Sequence, residues 1–225
     1  MPDSTIYSHA RDSYVTNATT DGSWDDAQGN ATTDGDAQSS SSSFYGFGVW
    51  TKNAGGRAGH DYKCYRSYFE FDVSGESGTV ASASINIYLD NLGSTVNDAE
   101  KVILVEATAL DSGVEDHGNV FSSGTTWHND ISDIVSVSTT AGYHTFTMNS
   151  DGITLIQNAI GSGSVTVGLV GWYNDYSENA PNPGGEYTQI MVRYTNFLGT
   201  GSDPKMGITY AAAVTDNATF FGANI

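Results

Sequence analysis

The chain reads as an all-β protein, a sandwich or barrel of many short strands, and three observations predict this. Seven segments alternate bulky apolar with small polar residues and stop at Gly, Asn, Asp or Ser. The composition, with 26 Gly and 12% aromatics including 13 Tyr, suits pleated surfaces joined by tight turns. Only one stretch carries the period and caps of a helix.

The expected elements follow in order. Residues 15–43 are low in complexity, with Asn-Ala-Thr-Thr-Asp-Gly occurring at 17–22 and again at 30–35, and a serine run from Ser39 to Ser43. Two copies are too few for a solenoid, so 16–43 is expected to be a long acidic loop or hairpin. Strands are expected at 62–73, 80–89, 101–107, 142–148, 164–173, 189–194 and 205–210. The helix lies at 151–160: Ser150 or Asp151 can cap it, Ile153, Ile156 and Ile160 share a face, and Gly161 stands where a left-handed residue ends a helix. The domain therefore spans 1–210. The remaining 211–225 forms an apolar tail whose anchors are Val214, Phe220, Phe221 and Ile225. Left free, it would expose two Phe to water, so it is expected to dock on its own domain or on a neighbour.

Charge narrows the function. Eight Lys and Arg stand against 26 Asp and Glu, a net charge of −18. So few bases cannot form the basic stripe that nucleic acid requires. No run of 18 apolar residues suggests a membrane span. The single cysteine, Cys64, rules out an intrachain disulfide. Met1 to Tyr7 has neither a basic nor an apolar leader region. Taken as a native start, it predicts synthesis in a cytoplasm; a trimmed signal peptide would instead predict a secreted or cell-surface protein.

Several groups could carry chemistry. The acid pairs Glu70 with Asp72, Glu106 with Asp111, and Glu115 with Asp116 are the glycosidase-like candidates, and a solvated face or a turn anchor explains each more simply. Calcium is the ion the acids suit best, from Asp21, Asp25, Asp26, Asp34 and Asp36, or from Asp111, Glu115, Asp116 and Asp130. Neither set has EF-hand spacing, and no cofactor is required. His9, His60, His117, His128 and His144 share no metal spacing. Cys64, mid-strand among aromatics, reads as a buried inert thiol. Trp50, Trp172, Tyr173, Tyr176 and Tyr187 stand near loop ends and could stack on sugar rings. Of these, Trp172 reads, like Trp127, as a core anchor. Tyr176 and Tyr187, in the loop from Asn174 to Glu186, are expected to be exposed.

Arg66 to Ser74, followed by Val80 to Leu89, resembles the DNRLRE-type domain, a jelly-roll sandwich related to polysaccharide-binding modules. In that family an R-x-L-L-R-F-D-L-S strand leads into an A-T-V-T-S-A-T-L-R-L-Y-L strand. Ala10 to Val15 is similar to its opening A-D-T-Y-V strand, and Thr126-Trp127 falls where a T-W commonly stands. The likeness covers about residues 10–210. It departs at Glu70, where the family has a second Arg, and in the longer loop at 16–43. The resemblance implies a jelly roll used either beside secreted polysaccharide-active enzymes or in tailed-phage virions. The resulting expectation is a non-enzymatic virion protein, as capsid decoration or part of a tail or fibre. Its expected partners are other virion proteins, copies of itself and host-surface polysaccharide. The alternative is a carbohydrate-binding module of a secreted or cell-surface system, with Trp50, Tyr173, Tyr176 and Tyr187 as its platform.

Overall fold

The computed structural model describes residues 3–8, 12–29, 37–39, 44–53, 60–92, 101–108, 117–137, 140–181, 187–194 and 201–212. In chain order the elements are β1 (Asp3–Tyr7), β2 (Ser13–Gly22), α1 (Trp24–Gln28), β3 (Ala37–Ser39), β4 (Phe44–Asn53), β5 (His60–Asp72), β6 (Val80–Leu92) and β7 (Lys101–Glu106). They continue with β8 (Phe121–Ser123), β9 (Thr126–Trp127), β10 (Val135–Ser136), β11 (Gly142–Thr147), α2 (Ser150–Ala159), β12 (Ser164–Gly171), β13 (Tyr187–Val192) and β14 (Lys205–Tyr210). A 3₁₀ turn, His117–Val120, precedes β8, and a π-helical turn, Trp172–Tyr176, follows β12.

Every ladder among the described residues is antiparallel, and the chain is an all-β sandwich. One layer runs β1-β14-β6-β11 and the other β3-β2-β5-β12-β7-β10, with β13 and β4 joining them. The joint is possible because β5 and β6 are long, 13 residues each, and change partners along their length. The first half of β5 pairs with β4 and its second half with β12; β6 pairs first with β14 and at its end with β13.

Alternation fills the space between the layers. Phe69 and Phe71 of β5, with Val167 and Leu169 of β12, meet Ile85 and Ile87 of β6 and Phe146 of β11, all fully or almost fully buried. Removing a buried side chain of this size costs about 3–5 kcal/mol. Helix α2 closes one end through Ile156.

Two expectations change. The N-cap of α2 is Asn149, whose side chain accepts from the backbone of Asp151 and Gly152, rather than Ser150 or Asp151. Gly161 does hold the left-handed conformation, φ 78°, just past the helix. The greater change concerns the acidic segment expected to be a long loop or hairpin from residue 16, whose β2 and β3 do pair antiparallel as a hairpin would. Its first part is β2, paired with β5 and buried at Val15, Thr16 and Asn17, followed by a second helix, α1. Its Thr and Asn residues look loop-like in sequence, yet they pack under neighbours on a sheet. The rest of the segment, apart from β3, lies outside the described residues.

Candidate functional site

Period two on β5 sets Tyr62, Cys64, Arg66, Tyr68 and Glu70 on the face turned away from the main core. This face is covered. Helix α1 lays Trp24 and Ala27 over Tyr62 and Cys64. Further along, Val120 and Phe121 cover Tyr68, Val105 and Val170, with Trp127, Trp172 and Tyr176 packed at the margin. Gly168 of β12 makes the close approach possible, since a Cβ there would lie 2.6 Å from Val120 Cγ1.

Between these two clusters sits Arg66, completely buried. Its Nε and one terminal nitrogen donate to the two carboxylate oxygens of Asp175 at 2.8 and 2.7 Å. That same nitrogen donates to the carbonyl of Gln28 at 3.0 Å. The other terminal nitrogen donates to the carbonyl of His117 at 2.6 Å and faces His117 Nδ1 at 3.1 Å. If Nδ1 accepts, all five guanidinium donors are used, and the imidazole proton must sit on Nε2. The rings of Phe121 and Trp127 lie 4.8 and 5.0 Å from the guanidinium carbon. Gln28 closes the circuit by donating its side-chain amide to the carbonyl of Asp175.

Each partner comes from a different segment, and local rules deliver each. A capping box between Ser23 and Asp26 starts α1 and so fixes Gln28. The 3₁₀ turn presents the carbonyl of His117, which also accepts from Tyr68 Oη at 3.0 Å. The widened π turn after β12 brings Asp175 inward while Tyr173 remains 48% exposed.

The electrostatics follow from burial. Burial opposes the Arg66 charge, but the carboxylate of Asp175, by charge and hydrogen bonds, more than offsets it and raises the guanidinium pKa. Burial, reinforced by the neighbouring guanidinium, pushes the His117 imidazole well below its usual range, so the ring is neutral. Cys64 is buried as expected, and burial and then the Asp175 charge push its thiol up, which disfavours the thiolate.

Beside this clamp is a cleft of about 260 Å³, lined by Asp25, Gln28, Gly29, Phe121, Thr125 and Glu178. Glu178 reaches it from a left-handed backbone, φ 56°, in the turn that ends the π segment. Carboxylates, a carboxamide, a hydroxyl and an aromatic edge suit a ligand rich in hydrogen-bond donors.

The sequence candidates fall as follows. Of the proposed calcium ligands, Asp25 is exposed at the cleft, and Asp26 is spent on capping α1, which lowers its pKa. The Asp21 side chain, Asp34 and Asp36 lie outside the described residues, as do Asp111, Glu115 and Asp116. Among the described residues no three His, Cys, Asp or Glu side chains gather as a metal cluster would. Tyr187 and Trp50 are cross-strand partners of β13 and β4, and their side chains lie outside the described residues. Tyr173 is exposed, but Tyr176 corrects its expectation. It is half-buried, its ring tilted against Trp127 with centroids 5.1 Å apart, and its hydroxyl is 3.4 Å from Asp130. Trp127 and Trp172 are partly buried at the rim of the second cluster rather than in the main core. Glu70 is buried while Asp72, on the same strand face, is exposed and anchors the following turn through Ser74. The tail residues Val214, Phe220, Phe221 and Ile225 lie outside the described residues.

Sequence reading missed the clamp. Its one visible signal is an Arg flanked by aromatics at the centre of β5, since such a charge is buried only when paired. Compared with known proteins, the chain matches no family model and no curated protein.

Proposed function

We propose that this chain is a non-enzymatic structural protein of a phage particle, a jelly-roll body serving as capsid decoration or as part of a tail or fibre. The observation that supports this is the clamp. Its buried charges are spent on one another and on backbone carbonyls, tying α1, the 3₁₀ turn, the β8–β9 hairpin and the π turn to β5. Such a cluster stiffens a body and, being neutral as a pair, leaves the net charge of −18 to the rest of the chain, where it keeps crowded copies apart. The phage setting comes from the resemblance of residues 10–210. In the test, phage particles are purified by density gradient and probed for this chain. Co-sedimentation at constant stoichiometry is expected, and its absence from particles overturns the reading. Deleting 211–225 is expected to abolish assembly while leaving the β-sheet spectrum intact.

A second reading, a carbohydrate-binding module, is favoured by exposed Tyr173, which shares the π turn with Tyr176 of the Trp127–Tyr176 pair. It predicts retardation on polysaccharide gels that Tyr173→Ala weakens.

A further inference from the structure

Asp203 is only 4% exposed, and its Oδ1 has no hydrogen-bond partner among the described residues. A buried carboxyl oxygen left without a donor is costly, and a native structure that keeps one needs a reason. The next residue is Pro204, whose nitrogen carries no hydrogen and belongs to a tertiary amide, the more basic and more easily expelled kind. The bond between the two is held from both sides. Tyr143 Oη donates to the Asp203 carbonyl oxygen at 3.0 Å and lies 3.3 Å from that of Gly201. The Pro204 carbonyl accepts from the Ser8 backbone at 2.9 Å, where β14 begins its ladder with β1.

We propose that Asp203–Pro204 is a self-cleaving peptide bond, with the Asp203 carboxyl as nucleophile and the Tyr143 hydroxyl as the donor that stabilises the developing oxyanion. In the step, a carboxyl oxygen of protonated Asp203 bonds to the residue's own carbonyl carbon, closing a five-membered anhydride. The carbon–nitrogen bond breaks, and the carboxyl proton passes to the Pro204 nitrogen, which leaves as a secondary amine. Water then opens the anhydride and restores Asp203 with a free terminal carboxyl group. Desolvation favours the protonated carboxyl that this step needs, since burial raises the Asp203 pKa. Burial, the larger cause, raises the Tyr143 pKa, and the Asp203 charge adds to this while that carboxyl is ionised, so the phenol keeps the proton it donates.

The product has a distinctive fate. Strand β14 is hydrogen-bonded to β1 on one edge and β6 on the other, so the released segment stays in the sheet after the cut. A nicked chain therefore runs as one species under native conditions and as two when denatured.

The test incubates the full chain at about pH 5 and at about pH 7, folded or in concentrated urea, and reads products by denaturing gel and mass spectrometry. The expected result is a fragment ending at Asp203 and one beginning at Pro204, formed at the lower pH faster from the folded chain than from the unfolded one. Tyr143→Phe keeps the ring and removes the donor, and is expected to slow cleavage by about tenfold or more. Asp203→Ala is expected to abolish it. Cleavage no faster in the folded chain than in urea, or unchanged by Tyr143→Phe, overturns the proposal, as does an intact chain.

Discussion

Arg66 and Asp175 are 109 residues apart in sequence and meet in a two-point ion pair at 2.8 and 2.7 Å, both almost without solvent contact. The pair joins the middle of a central strand to the π-helical turn that follows β12. Its contribution to net stability need not be large, because two charges had to leave water. Its geometric demand is larger, since Asp175, the carbonyls of Gln28 and His117, and His117 Nδ1 must all meet one five-donor fork.

The pair predicts an asymmetry. Asp175→Asn or Arg66→Met alone leaves a buried, uncompensated partner and is expected to cost about 3–5 kcal/mol in urea unfolding. Arg66→Lys is expected to fall in the same range, because three donors on a flexible stem cannot replace a five-donor fork. The double variant Arg66→Met with Asp175→Leu is expected to be less destabilised than the sum of the singles. A strictly additive double-mutant cycle would refute the coupling.

His117 predicts acid sensitivity. Folding holds its imidazole pKa well below 6.5, whereas the unfolded chain binds a proton at that value. The stabilisation is therefore complete above about pH 6.5 and is lost as pH falls, at up to about 1.4 kcal/mol per pH unit for one proton. The urea midpoint is expected to drop between about pH 7 and 5 and to flatten in His117→Gln. Equal slopes in the two proteins would show that the titrating group lies elsewhere.

At the alkaline end the sign reverses. Burial, then the hydrogen bond and charge of Glu76, push the Tyr210 phenol up to about 12, and burial raises Tyr194 further. Their stabilisation is present below about pH 10, the unfolded value, and is lost as pH rises through the folded values. Absorbance of phenolate is expected to rise in at least two stages, the later coinciding with loss of the sheet signal. Tyr210→Phe is expected to remove the component near 12.

Three glycines should respond in opposite ways. Gly168→Ala drives a methyl against Val120 and is expected to cost about 1–3 kcal/mol, with partial rescue by Val120→Ala. Gly152→Ala meets the backbone carbonyl of Ile131, which cannot swing aside, and is expected to be at least as costly. Gly207→Ala touches only Ser84 Oγ at 3.7 Å and is expected to be neutral or stabilising by about 0.5–1 kcal/mol. Thermal unfolding of the three variants checks the order.

What the sequence by itself determined is the set of elements with a strong local period. Strands β5, β6, β7, β11, β12, β13 and β14 lie where alternation placed them, and Gly161 ends α2 as its position implied. Alternation is a property of one segment and its immediate neighbours, so it can be read without knowing the partner. The continuation of β2 beyond residue 15 and the helix α1 escaped because Thr, Asn and Asp prefer turns when solvated and are held there only by pairing and capping. The clamp escaped for a related reason. Nothing in the neighbourhood of Gln28, Arg66, His117 or Asp175 names the other three, and a buried arginine is tolerable only when all its donors are met. Only the closed sandwich, by folding four remote segments onto the outer face of β5, decides that Arg66 is an interior clamp rather than a surface charge.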